Sequence, residues 1–275
     1  MNTERKSISP QHATLLQNLQ HQNLPYITLE SAKAVYPELS DNAVEKIMSR
    51  MAQKGLLMRL KKGLYHVIPY EQTAHSFMPN WHLLANILVQ NQKHYIAYHA
   101  AMQIHGLSTQ PALREYIVVD NPIRPSTLHV KEIPFQFVYH NTAHFFGYSP
   151  VWINAFNQVP CSDLEKTFID ALFRPNYAGG IVEIARALHL AKERLDMVKL
   201  LTYSQQFGSQ AVIKRLGFLL ELLEINAHTA KLLQQTTTPS FVVLDPEVPA
   251  IGKRNSYWRI QQNITPETIQ SALYT

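Results

Sequence analysis

The apolar residues of positions 40–69 repeat with two different periods in succession. Val44, Ile47, Met48 and Met51 fall at i, i+3, i+4 and i+7, the spacing of one face of an α-helix. Ser40 stands just before this pattern, where its hydroxyl can accept an early backbone N–H, so the helix is predicted to begin there. Asp41 adds a carboxylate where the positive end of the helix dipole favours one. Gly55 provides the stop, as a residue that tolerates left-handed geometry. Beyond it, residues 56–60 and 64–68 flank Lys61-Lys62-Gly63, which predicts two strands joined by a short turn with a basic tip. Asn42, Lys46, Ser49 and Gln53 then occupy the helix face opposite the apolar one, with Arg50 on its flank.

Upstream, residues 1–8 read as a loose polar arm with Arg5 and Lys6. A helix is expected over 9–20 with Pro10 at its tolerated first position, and Tyr26-Ile27 as an extended stretch. Thr28 can cap a further helix over 29–35, which Pro37 ends. Three short helices and a terminal hairpin predict a winged helix-turn-helix over residues 1–70.

Residues 71–80 form a polar connector, and 81–275 a larger mixed α/β domain with a small sheet and a helical bundle. The fold class expected for the whole chain is α+β. In the larger domain helices are predicted over 81–89 and 99–105, and strands over 115–120, 133–140, 144–148 and 151–159. Ser162 to Glu165 reads as a capping box opening a helical half. Helices over 196–206, 209–224 and near 227–234 follow, then strands over 241–244 and 257–264. Gly217 falls inside a predicted helix, where glycine costs about 1 kcal/mol against alanine, so close packing is expected there.

Charge sharpens the division. The 275 residues carry a net +5, and residues 1–70 hold nine lysines and arginines against five acids, so four of those five charges lie in the first domain. A basic module beside a near-neutral body implies a polyanionic partner at one end. On the polar face of the 40–53 helix and in the turn, Asn42, Lys46, Ser49, Arg50, Gln53, Arg59, Lys61 and Lys62 are side chains able to reach phosphates and base edges. That face has no aromatic residue, which argues against stacking on single strands or RNA. Cys161 is the single cysteine, expected in a core or loop, so no disulfide or cysteine-rich zinc site is possible within the chain. No apolar run approaches a membrane span and MNTERKSISP has no signal-peptide core, so a soluble cytoplasmic protein is expected.

The larger domain carries few marks of catalysis. It has no phosphate loop, GxGxxG, GxSxG or HExxH motif. Asp163, Glu165 and Lys166 echo a nuclease D…ExK arrangement, but helix capping accounts for the acids. His140 and His144 bracket Asn141-Thr142 and are expected as exposed histidines of a hairpin turn. His99 and His105 are expected to be packing or capping residues. No enzyme activity, cofactor or metal site is predicted.

The chain resembles the AbiEi-type antitoxins of bacterial abortive-infection, type IV, toxin–antitoxin systems. The resemblance is carried by GLLMRLKKGLYHVIP at 55–69, YIAYHAAMQIHGLSTQ at 95–110 and SDLEKTFIDALFRPNYAGG at 162–180. It continues in LDMVKLLTYSQQFGSQAVIKRLGFLLELL at 195–223, VVLDP at 242–246 and GKRNSYWRIQQNI at 252–264. It implies a winged helix that binds inverted repeats in the operon's own promoter and represses it. It also implies a C-terminal domain that neutralises a nucleotidyltransferase-like toxin, without a stable complex. Arg174, Tyr177, Arg215 and Asn255 stand in the shared motif loops and are candidates for the antitoxin surface, beside Gly179 and Gly180. Reading an inverted repeat needs two copies, either monomers pairing cooperatively on DNA or a preformed dimer. Two other readings remain open: a ligand-responsive winged-helix transcription factor without a toxin partner, and a winged helix tethered to a degraded nuclease or transferase.

Overall fold

The computed structural model describes residues 6–22, 24–108, 110 and 113–274. It is a mixed α+β protein that divides into two compact units, residues 1–90 and 91–275. Arg5 lies outside the described residues.

The first unit runs α1 (Pro10–His21), β1 (Tyr26–Thr28), α2 (Leu29–Val35), α3 (Asp41–Gln53), β2 (Leu57–Lys61), β3 (Leu64–Val67) and α4 (Trp81–Val89). Side-chain caps set the helix starts: Ser9 and Thr28 form capping boxes, and Ser40 accepts from the Ala43 N–H at 3.3 Å. Val44, Ile47, Met48 and Met51 are all buried, against Leu15, Leu19, Ile27, Ala32, Leu57 and Tyr65. Each fully buried side chain of this size contributes roughly 1.5–3 kcal/mol, so the apolar face anchors α3. The strands form an antiparallel sheet in the order β1-β3-β2. Gly63 turns the hairpin with a left-handed φ of 71°, a conformation that favours glycine. Lys6 is no loose arm, because its ammonium donates to the Pro69 carbonyl at 2.7 Å. The helix Trp81–Val89, grouped with the larger domain by sequence, lies within this first unit.

The second unit begins with β4 (His94–Ile96), α5 (Tyr98–Ile104), β5 (Glu115–Val119), β6 (Thr127–Val130), β7 (Ile133–Tyr139), β8 (Tyr148–Trp152) and β9 (Gln158–Ser162). These strands make one six-stranded mixed sheet, ordered β6-β7-β5-β4-β9-β8. The strands expected over 144–148 and 151–159 are replaced by β8 and β9. Asn154 forms the turn between them by accepting from the Phe156 and Asn157 N–H groups. The loop after β7 is therefore no hairpin, since β8 lies at the opposite edge of the sheet.

Then follow α6 (Leu164–Phe173), a 3-10 turn (Pro175–Ala178), α7 (Gly180–Ala191), α8 (Met197–Phe207), α9 (Gln210–Leu222) and α10 (Ala227–Gln234). A small sheet of β10 (Val242–Val243), β11 (Lys253–Asn255) and β12 (Ile260–Gln262) and a last helix, α11 (Pro266–Ser271), complete the unit. The N-cap of α6 is Asp163 rather than Ser162, which belongs to β9. Residues 165–172 of α6 are buried throughout, so α6 is the axis of the helical core. Gly217 meets the ring of Trp258 so closely that a Cβ there would sit 2.1 Å from Cζ3, the close packing its position implied. No helix among the described residues is long and apolar enough to cross a membrane.

Candidate nucleic-acid interface

Burying the apolar face of α3 leaves Asn42, Lys46, Ser49, Arg50 and Gln53 exposed on the other side. The β2–β3 hairpin follows directly and returns its polar edge toward that face. Between them lies a groove of about 340 Å³, lined by Asn42, Glu45, Lys46 and Ser49 of α3 and by Arg59, Lys62 and Tyr65 of the hairpin. Arg59 faces Tyr65 across the ladder and points outward, as does Lys62 at the turn. Three cations and an amide thus converge around a single carboxylate, Glu45.

Arg50 and Gln53 are exposed but lie outside this groove. Burial and the nearby cations Lys54 and Arg50 lower the pKa of His12, so that end of α3 also carries a positive field. Lys61 departs from expectation. The backbone register shifts between Arg59 and Lys61, and the Lys61 ammonium turns back to donate to the Leu88 carbonyl at 2.9 Å. That contact places it on the negative end of α4, and burial lowers its pKa.

In the second unit the motif-loop residues do not assemble into one exposed patch. Arg174 packs over the Tyr177 ring at 5.4 Å and donates to its hydroxyl at 3.3 Å. Tyr177 in turn stacks on Tyr116. Asn255 closes a turn by accepting from the Trp258 N–H at 2.9 Å. Arg215 is not a surface residue: it is 6% exposed, and its guanidinium donates to the Leu172, Val243 and Leu244 carbonyls. It ties α6 and α9 to the small sheet.

The D…ExK echo also dissolves. Asp163 caps α6 and pairs with Lys199 at 3.1 Å, and Glu165 pairs with the same lysine at 2.9 Å. Lys166 leaves in another direction and is fully buried against Asp170, with Tyr95 donating to that carboxylate at 3.1 Å. His140 joins this network, 3.0 Å from the Tyr98 hydroxyl. It is 2% exposed, which corrects the expectation of an exposed turn histidine. His144 stacks on Phe207 at 3.8 Å. Burial first, then the Lys166 charge, lowers the pKa of His140 to about 3, so its imidazole is neutral. His99 and His105 pack as expected, on Ser108 and on the Ser162 carbonyl. Cys161 is buried in the sheet. The i, i+4 pair Lys166 and Asp170 on an apolar helix was the one sequence signal of this network. No group of three or more metal-ligating side chains occurs among the described residues.

No protein-family model matches the chain, and no curated protein matches it. The fold is shared with the crystal structure of the RV2827C protein from Mycobacterium tuberculosis. The TM-score is 0.71 and the identity 14%, over 93% of this chain and 92% of that one. The likeness extends over most of both chains at very low identity, which speaks to fold alone.

Proposed function

We propose that the first unit is a winged helix-turn-helix that binds duplex DNA, with α3 as its recognition helix and the β2–β3 hairpin as its wing. The observation that carries this reading is the groove in which Asn42, Lys46 and Ser49 face Arg59 and Lys62. Lysines and arginines there suit phosphates, and Asn42 suits a base edge in the major groove. Exposed Arg50 and Gln53 extend the same face. The excess of positive charge in residues 1–70 supports the same partner.

By its resemblance to AbiEi-type antitoxins, the protein acts as an autorepressor at inverted repeats in its own promoter. The second unit acts as an antitoxin toward a nucleotidyltransferase-like toxin, without forming a stable complex and without catalysis of its own. The place of action is the cytoplasm. A gel shift on the upstream region of its own gene tests the DNA reading: absence of salt-sensitive binding to a repeated site there sinks it. Co-expression with the product of the adjacent gene tests the antitoxin reading, which fails if growth arrest by that product is not relieved.

A further inference from the structure

The second unit holds a cation that no carboxylate among the described residues neutralises. Lys214, on α9, is 0% exposed. Its ammonium donates to Thr238 Oγ1 at 3.1 Å, the Ser240 carbonyl at 2.6 Å and Ser240 Oγ at 3.3 Å, all of them neutral acceptors. Among the described residues no carboxylate pairs with it. Its proton affinity is lowered by burial and then by a second cation, Arg259. A desolvated charge is ordinarily paired, so an uncompensated lysine beside an arginine points to an anion from outside.

The surroundings supply the place. Arg259 packs on the Phe241 ring at 5.8 Å, and Arg254 packs on the same ring at 5.2 Å. The Arg259 guanidinium donates to no protein acceptor among the described residues. It opens onto a cleft of about 480 Å³, whose lining includes Gln234, Gln235, Thr238, Ser256 and Tyr257 and no carboxylate. This volume lies in the range of small-ligand sites. Arginine's fork matches phosphoryl oxygens, and the Ser256 hydroxyl adds a neutral donor. Tyr257 is 52% exposed and offers an aromatic face, and the two glutamine amides can both donate and accept.

We propose that this cleft binds a nucleoside phosphate. The phosphoryl oxygens sit against Arg259 and the 238–240 segment that fronts Lys214, and the base sits on Tyr257. The site is independent of the DNA reading of the first unit. Its ligand chemistry is shared by free nucleotides and by the 5′-phosphorylated end of an oligonucleotide.

Calorimetric titration of the full chain with ATP, GTP, pyrophosphate and a 5′-phosphorylated dinucleotide provides the test. Saturable binding with a Kd below about 1 mM is expected for at least one nucleotide. Arg259→Asn should weaken it about tenfold or more, since the fork is lost while asparagine tolerates the φ of 54° at this position. Tyr257→Ala should weaken nucleotides several-fold but leave pyrophosphate unchanged, and Lys46→Ala should change neither. A dinucleotide that binds more tightly than ATP and GTP, with the same dependence on Arg259, supports the site and names a nucleic-acid end as the source. Lys214→Met should raise the melting temperature of the free protein and abolish the shift produced by ligand. The absence of saturable heat up to about 10 mM overturns the proposal, as does binding indifferent to Arg259→Asn. Equal affinity for pyrophosphate and nucleotides overturns the nucleoside part.

Discussion

Lys61 and Lys62 are adjacent, equally basic and equivalent in the sequence, yet the fold gives them opposite work. Lys62 is exposed beside the groove, whereas the Lys61 ammonium is held on the Leu88 carbonyl at 2.9 Å. If the hairpin contacts DNA phosphates, Lys62→Ala removes one contact and lowers the slope of log K against log salt by about 0.9. Over a fourfold change in salt, from 50 to 200 mM, that contact alone accounts for a factor of about 3.5 in affinity. Lys61→Ala should leave the slope unchanged. It removes a hydrogen bond from a half-buried ammonium to a carbonyl at the negative end of α4, worth about 1 kcal/mol after allowance for solvent screening. In a unit of 90 residues that corresponds to a fall of about 4–8 °C in melting temperature. Fluorescence anisotropy with a labelled duplex at four salt concentrations, paired with thermal melts, separates the two effects. Equal losses of slope in both variants would refute the assignment, because Lys61 would then have left Leu88 for a phosphate.

Three further predictions concern the second unit. His140 has its pKa lowered to about 3, chiefly by burial. The unfolded chain takes up that proton near pH 6.5, so its contribution to stability is complete above 6.5 and declines as pH falls toward 3. The loss from this group is about 2 kcal/mol between pH 7 and 5. Urea unfolding of wild type and His140→Gln at both pH values should show that loss only in wild type, and identical pH dependence in the two would sink the idea. Lys166→Met leaves the fully buried Asp170 carboxyl with Tyr95 but without its cation, at a cost of about 3–5 kcal/mol in chemical denaturation. Lys166→Met with Asp170→Leu should recover most of that loss, and a double variant no more stable than the single one would contradict the pairing. Gly217→Ala gains about 1 kcal/mol of helix propensity but drives a methyl into Trp258 at a cost of about 1–3 kcal/mol, for a net loss of up to about 2 kcal/mol. The same change in a Trp258→Leu background should be near neutral, and a loss of the same size there would point away from the ring.

The first unit was legible because its signals are local. The apolar spacing of Val44, Ile47, Met48 and Met51, the cap at Ser40 and the glycine at 63 each act within a few residues, and each stands where the pattern put it. The exposure of Asn42, Lys46 and Ser49 followed from helix period alone. The second unit was legible in its helices and less so in its sheet. The register of β8 with β9 and the edge position of β8 depend on pairings between distant segments, which periodicity does not encode. The cap expected at Ser162 falls on Asp163, as a simple N-cap, because β9 claimed the serine.

By itself, then, the chain determined where its helices begin, which faces are apolar and which end is basic, since these depend on covalent neighbours and helical period. Only the tertiary structure decided how individual charges are used. Arg215 is buried under three carbonyls, Lys61 is turned onto a helix end, Lys166 is sealed against Asp170, and Lys214 has no carboxylate partner among the described residues. The same side chain in water would have none of these fates. What separates them is which distant backbone carbonyl or carboxylate the fold brings within about 3 Å, and how much water it leaves there.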